Sequence, residues 1–224
     1  MPSLKALKYY LSSIPTLVKG TNFFVLPLIF IKRPLVVKTS DGLEFYVDNV
    51  MDIWSIKEIL LDRQYEEFYK IKAGDIVIDV GASIGDFSIQ SAKTAERVYS
   101  FELNKNRIEL MKLNLELNHS KNVFLDESGA HSLKKILDDN GIKKCNFLKI
   151  DCEGCEYHLL NGADEQTLRR VEHLAMEIHL FDEHMKKNFE QLIEHLTTNN
   201  FQVTVLPNAV HDYLKFVFAK NLNA

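Results

Sequence analysis

The sequence predicts an α/β fold: a doubly wound, mostly parallel seven-stranded sheet with a C-terminal antiparallel hairpin and an N-terminal helix and β-hairpin extension. Three observations predict it. From Gly74 onward, short apolar runs alternate with segments of helical periodicity across short connections, the pattern of a parallel sheet covered by helices on both faces. Near the end, "FQVTVL" and "YLKFVFAK" are separated only by "PNAVHD", too short for a crossover helix, so these two strands pair antiparallel. Charged residues also follow four of the predicted strands, on the rim where open α/β sheets bind ligands.

Taken in order, "LVVKTSDGLEFYV" places two β-rich runs around Ser40-Asp41-Gly42, a hairpin pattern. "SIKEILLDRQYEEFYKI" shows helical apolar spacing at Ile56, Ile59, Leu60 and Phe68. "DIVIDVG" then reads as a buried strand and "FSIQSAKTA" as a helix. "VYSFEL" and "NRIELMKLNLELN" repeat the pair, as do "NVFLDES" and "SLKKILDDNG", the latter stopped at Gly141. "NFLKID" is a strand and "CEYHLLNGADEQTLRR" mostly helix; "HLAMEIHL" is a strand and "NFEQLIEHLTTNN" a helix. The division expected is an extension over residues 1–70 and an α/β core over residues 71–224.

Bulk properties narrow the partners. A chain of 224 residues supports one sizeable core. The formal net charge of −4 argues against a broad phosphate-binding surface, so nucleic acid is not expected as a partner. Three cysteines form no secreted disulfide framework, which points to a reducing cytoplasm. The first forty residues carry six Lys or Arg and no Asp or Glu, and include the apolar run "FFVLPLIFI". That run is too short to span a bilayer, for which about 20 residues are needed. Its plain reading is a helical cap over the core; the sharper one is a patch that touches a membrane surface or a lipid-linked substrate.

The chemistry gathers at the strand ends. The first core strand ends in Asp79-Val80-Gly81-Ala82-Ser83-Ile84-Gly85 and the second in Glu102; the fourth ends in Asp151-Cys152-Glu153-Gly154 and the fifth in Glu177-Ile178-His179. Gly81 and Gly85 allow close backbone approach to a ligand. Glu102 lies 23 residues beyond Asp79, near the spacing at which an acid takes ribose hydroxyls. The glycines read G-x-x-x-G, not the G-x-G-x-x-G of a dinucleotide site, and Asp79 and Asp86 would repel a pyrophosphate. An acidic glycine turn suits a ligand with an ammonium, a sulfonium and a ribose, which describes S-adenosylmethionine. A nucleotide-binding oxidoreductase and a non-catalytic protein of the same fold are the rival readings.

"VIDVGASIGDFSI", "VYSFELN" and "LKIDCEGCEYHLLNGA" together resemble the FkbM family of S-adenosylmethionine-dependent methyltransferases. The resemblance implies a class I methyltransferase fold and transfer to a hydroxyl oxygen on a sugar or other small molecule. It implies cofactor contacts from Asp79, Gly81, Gly85 and Glu102; Ser83, Leu103 and Asp151, on the same rim, are assigned as further contacts. Glu127 is assigned to the adenine edge beyond the third strand, with Asp126 and Ser128 as alternatives. The chain departs from the family pattern at Ser83, Leu103, Cys152 and Cys155, and in a shortened stretch between "VFLDES" and "SLKKIL".

For the chemical step the candidates are His179, Asp151, Glu153 and Glu177. His179 and Glu177 share one face of their strand, since side chains repeat every second residue, and a neighbouring carboxylate keeps imidazole basic. These four could also ligate a hard divalent ion, but a cationic ligand already satisfies carboxylates, so no metal is expected. Cys152-x-x-Cys155 with Cys145 and His158 could suggest zinc or redox chemistry. No second ligand pair follows at zinc-finger spacing, so the motif is assigned no role.

Overall fold

The computed structural model describes residues 4–152 and 154–224. Its main sheet has seven strands: β3 (Ile76–Val80), β4 (Arg97–Phe101), β5 (Val123–Asp126), β6 (Cys145–Ile150), β7 (Val171–His179), β8 (Phe201–Pro207) and β9 (Leu214–Asn221). They lie in the order β5-β4-β3-β6-β7-β9-β8. The first five are mutually parallel, while β9 runs antiparallel to both β7 and β8. The predicted hairpin is therefore present, with β9 inserted between its own partner and the parallel part of the sheet. Helices α3 (Asp86–Ala92), α4 (Lys105–Leu117), α5 (Leu133–Asp139), α6 (Cys155–Asn161), α7 (Glu165–Leu168) and α8 (Glu183–Thr198) make the crossovers. The helix read across 155–170 divides in two because Asp164 starts a new one, its carboxylate accepting from the Thr167 N–H.

The central strands are apolar without alternation because helices or the extension cover both faces. Val77, Ile78, Val98, Leu148 and Ile150 are inaccessible to solvent. The register sets Val80 beside Phe101 and Ile150, so Gly81, Glu102 and Asp151 all emerge at one level on the rim. One residue below, Asp79 pairs with Lys149 across β3 and β6. Their side chains form an ion pair at 3.0 Å, buried almost completely. Lys149 Nζ also donates to the Gly81 carbonyl at 2.8 Å, and Ser88 Oγ donates to Asp79 at 2.6 Å. Burial alone would lower the Lys149 pKa, but the carboxylates of Asp79, Asp151 and Asp86 hold it raised.

The extension begins with α1 (Leu4–Gly20) and a 3₁₀ segment (Phe23–Phe30). The small sheet of β1 (Leu35–Lys38) and β2 (Glu44–Val47) follows, turning through Gly42 as predicted. The helix expected from residue 55 instead starts earlier, as α2 (Val50–Ile56), capped by Asn49. It widens into a π turn (Lys57–Leu61), and Arg63 then takes a left-handed conformation that ends it. That break turns Tyr65 into the core, where it is buried.

The extension shares a core with the main sheet. Leu17, Ile29, Val37, Phe45 and Ile56 pack in one cluster with Val77, Phe87, Val98 and Phe147. Two asparagines of α4 act as a third strand for β2. Asn114 accepts from the Tyr46 N–H and donates to the Tyr46 carbonyl, and Asn118 does the same for Glu44. The capping role expected of the N-terminal helix holds for one face, through Ala6, Ser13 and Leu17; Leu7, Leu11, Ile14 and Val18 on its other side are exposed. No described helix is long and apolar enough to cross a membrane.

The ion pair generates a stability prediction. Lys149→Met leaves the Asp79 carboxylate buried and uncompensated, and chemical denaturation should show a loss of about 3–5 kcal/mol. The double variant Lys149→Met, Asp79→Asn should recover more than half of that loss, because no buried charge is then left alone.

Candidate active site

Above the carboxyl ends of β3, β4 and β6 lies a cavity of about 460 Å³. Gly81 and Ser83 form its floor, Glu102, Leu103, Asn104 and Arg107 one wall, and Asp151, Cys152 and Cys155 the other; Gly129 and Ala130 close the far end. This is the crevice beyond the strand ends where the sheet reverses its winding.

Glu102 is held before any ligand arrives. One carboxylate oxygen accepts from the Ser83 N–H at 2.8 Å, and the other from the N–H groups of Leu103 and Asn104 at 2.9 and 2.8 Å. Ser83 reaches it by adopting a positive φ of 48°, uncommon for a residue with a Cβ. The oxygen bonded by Ser83 keeps a further lone pair for a donor. Leu103 is 67% exposed and presents an apolar surface beside it. Arg107 is drawn to the extension, bonding Asp52 at 2.8 Å and Asp48 at 3.2 Å.

The two glycines have structural reasons that differ from the one expected. A Cβ on Gly81 would overlap the Asp151 carbonyl oxygen, and one on Gly85 would lie 2.8 Å from Met111 Cγ; both residues have positive φ. Gly81 thus lets β3 and β6 close together at the rim, and Gly85 lets α4 approach. A side chain at Gly81 would disturb the fold as well as the cavity.

Two assigned cofactor contacts are corrected. Asp79 is inaccessible and spends its charge on Lys149 and Ser88. Its neighbour Asp86 is also buried; Ser55 Oγ donates to it, and burial pushes its pKa up to about 6. The acids of the glycine turn therefore organise the turn from below, and Glu102 and Asp151 supply the cavity's carboxylates. Glu127 does not reach the cavity either: it is half exposed and paired with Lys112 at 2.9 Å. The shortened stretch before α5 brings Gly129 and Ala130 into the place assigned to it.

The residues proposed for the chemical step are brought only partly together. Asp151 lines the cavity and accepts from the Tyr65 hydroxyl at 2.9 Å. Tyr65 is fully buried; burial, then the charges of Asp151 and Glu177, raise its pKa well above the usual phenol value. Glu177 and His179 lie one strand further on β7, outside the cavity's lining. His179 Nε2 stands 3.8 Å from Glu177 Oε1, while Nδ1 is buried with no hydrogen-bond partner among the described residues. Glu153 lies outside the described residues. Among the described residues, no group of three or more His, Cys, Asp or Glu is placed to hold a metal ion.

Beyond His179 a row of rings continues along the rim. Phe181 packs on His179 with centroids 5.2 Å apart, Tyr213 on Phe181 at 5.4 Å, and His211 on Tyr213 at 5.0 Å. Phe181 is 59% and Tyr213 43% exposed. Sequence reasoning missed these rings, since they come from loops after β7 and before β9. It also missed Lys149, although a lysine inside the apolar run "NFLKID" demands a buried carboxylate partner. Nothing in the local pattern marked Tyr65 or Arg107. The cysteine pair, assigned no role, is joined as a disulfide between Cys152 and Cys155.

Comparison with known proteins supports this site's chemistry. Residues 127–203 match the methyltransferase FkbM domain, and residues 36–139 match the TRM5/TYW2 methyltransferase domain. A tRNA (guanine(37)-N(1))-methyltransferase of Methanocaldococcus jannaschii is 31% identical over 38% of this chain and 25% of its own length. A 23S rRNA (uracil(1939)-C(5))-methyltransferase of Legionella pneumophila is 31% identical over 38% of this chain and 18% of its own. The chain thus spans a quarter or less of either relative. A putative methyltransferase from Streptococcus mutans, solved in complex with SAH, superposes with a TM-score of 0.54 at 17% identity, covering 68% of this chain and 91% of that one. The tRNA and rRNA relatives overturn the expectation, drawn from net charge, that nucleic acid could be set aside in favour of a small-molecule acceptor. The fold agrees with the crevice: it is the fold of the class I methyltransferases, and two parts of the chain match methyltransferase domains.

Proposed function

We propose that the protein transfers the methyl group of S-adenosylmethionine to a hydroxyl oxygen carried on RNA. The observation that carries the RNA reading is the row of exposed Phe181 and Tyr213 and part-buried His211 beside His179. Aromatic faces on a rim stack unpaired bases, and each stacked base contributes about 1–3 kcal/mol. The match of residues 36–139 to the TRM5/TYW2 domain supports it further, because that span includes the β1–β2 hairpin as well as the cofactor strands. Contact through a few rings requires no broad basic surface, which fits a net charge of −4.

In this reading Glu102 takes the ribose hydroxyls of the cofactor, and Gly81 and Ser83 bound its amino-acid end together with Asp151. Methyl transfer is an in-line displacement at the sulfonium carbon, so the protein must align the acceptor oxygen and remove its proton. His179 takes that proton, with Glu177 stabilising the imidazolium that forms. Asp151, fixed by Tyr65, orients the acceptor between the two. Residues 1–70 serve as an extension that holds α4 and the Glu102 wall in place, and residues 71–224 as the transferase core.

The test is methyl incorporation. The full chain, given radiolabelled S-adenosylmethionine with total tRNA or rRNA, should label RNA, and digestion with mass spectrometry should place the label on ribose. Label in no RNA fraction overturns the RNA reading, and label on a base overturns the oxygen acceptor. Two variants probe the named roles. Glu102→Ala should weaken cofactor binding by about 1.5–3 kcal/mol, the scale of hydrogen bonds to a charged group, as read by calorimetry; a loss of a few tenths would move the ribose site elsewhere. His179→Asn should lower turnover about 10²- to 10⁴-fold, the usual share of a general base, and leave cofactor affinity unchanged. Full turnover in that variant would make His179 structural.

A further inference from the structure

The wall of the cavity opposite Glu102 is made of sulfur. Cys152 follows β6 directly, Cys155 opens α6, and both line the cavity beside Asp151. Their Cα atoms are 5.5 Å apart and their sulfurs are joined. The loop they close includes Gly154, whose φ of 120° lies in a region open chiefly to glycine. Behind the pair stands Glu156. It is inaccessible to solvent, and one of its oxygens has no hydrogen-bond partner among the described residues. Its other oxygen accepts from the Gly154 N–H at 2.8 Å and lies 3.4 Å from Cys152 Sγ. A disulfide sulfur offers that carboxylate no proton; a thiol does.

A carboxylate buried with half its capacity unused is costly to keep. Burial raises its pKa, which moves it toward the range in which it can hold a proton and release it. The third cysteine, Cys145, is a contrast. It is buried in β6, outside the lining of this cavity, and burial raises its thiol well above the usual range, so it is inert.

We propose that Cys152 and Cys155 form a reversible dithiol–disulfide site that exchanges with glutathione-class thiols, and that its redox state sets the affinity of the cofactor cavity. In oxidation, the Cys152 thiol gives its proton to Glu156. The thiolate attacks one sulfur of glutathione disulfide, forming a mixed disulfide and releasing a glutathione thiolate. Cys155, as thiolate, then attacks the Cys152 sulfur and releases the second glutathione thiolate. The two protons lost by the cysteines end on the two glutathiones, one of them relayed by Glu156, so one disulfide is reduced as the other forms. The bond ties Cys152 to the start of α6 and so steadies the adjoining Asp151 carbonyl, against which Gly81 packs. The disulfide form is thus the pre-organised one, and reduction frees a wall that the cofactor must then order. The coupling half of this proposal rests on the cavity being the S-adenosylmethionine site.

The experiment uses the full chain equilibrated in buffers spanning reduced and oxidised glutathione, then acid-quenched, alkylated and weighed. Cys152 and Cys155 should titrate together as a two-electron couple, with Cys145 a thiol throughout. Glu156→Gln should slow the exchange. Calorimetry with S-adenosylhomocysteine should show the disulfide form binding about fivefold or more tighter than the dithiol form, within the ordinary range of coupling between sites. By linkage, saturating S-adenosylhomocysteine must shift the glutathione ratio at the midpoint by the same factor. The double variant Cys152→Ser, Cys155→Ser should bind like the dithiol form and ignore the buffer. Cysteines that stay thiols in excess glutathione disulfide, or stay joined in excess glutathione, overturn the redox site. Equal affinities in the two forms overturn the coupling. If neither form binds S-adenosylhomocysteine, the cofactor assignment falls and the coupling with it, while the thiol titration still decides the redox site.

Discussion

The buried ion pair between Lys149 and Asp79 is the constraint from which the rim is built. Two opposite charges lie in adjacent central strands, nearly free of solvent. Such a pair contributes little net stability, because desolvation offsets most of the attraction, but either charge alone is intolerable. It therefore selects one register of β3 against β6. The same ammonium holds the Gly81 carbonyl, so the peptide that must pass under the cavity is fixed from below. Gly81 can pass only because it has no side chain to strike the Asp151 carbonyl. Register, turn and cavity floor are thus one structure, and the carboxylates open to the cavity are those of Glu102 and Asp151 above it, not that of Asp79 within it.

This explains which parts of the site were legible in the sequence. Alternating strands and helices are a periodic signal, so the fold, the strand ends and the terminal hairpin could be read in advance. Glu102 was legible because its distance along the chain from the glycine turn follows from the geometry of one strand–helix–strand unit. Asp79 misled for the same reason: its position at a strand end was right, but its direction depends on the partner that the neighbouring strand presents. An acid at a strand end faces the ligand only when no buried cation claims it, and the lysine that claims this one lies 70 positions away. Tyr65 was illegible because a left-handed residue, Arg63, turns it inward, and no pattern of apolar spacing encodes that break.

The extension belongs to the same logic. Its hairpin would be marginal alone, since two strands cannot sustain themselves in water. Asn114 and Asn118 complete it from α4, and Arg107 of that helix clamps Asp48 and Asp52. Because α4 starts three residues after Glu102, the extension steadies the wall that carries this carboxylate. A segment that adds nothing to the cavity lining except through Arg107 still determines where that lining stands.

Net charge misled about the acceptor because it averages over a surface that recognition samples only locally. A strongly salt-dependent grip on phosphates needs many cations together. An exposed base needs a flat ring to lie on and a group that can take a proton from the acceptor atom beneath it. In the proposed reading Phe181 and Tyr213 supply the first and His179 the second, within one continuous row of rings. None of these residues changes the charge count, and the two rings lie in loops that periodicity does not describe. The features that set acceptor chemistry are therefore the ones that composition is least able to report, whereas the cofactor side, built on register and turn, is written in the pattern of the strands.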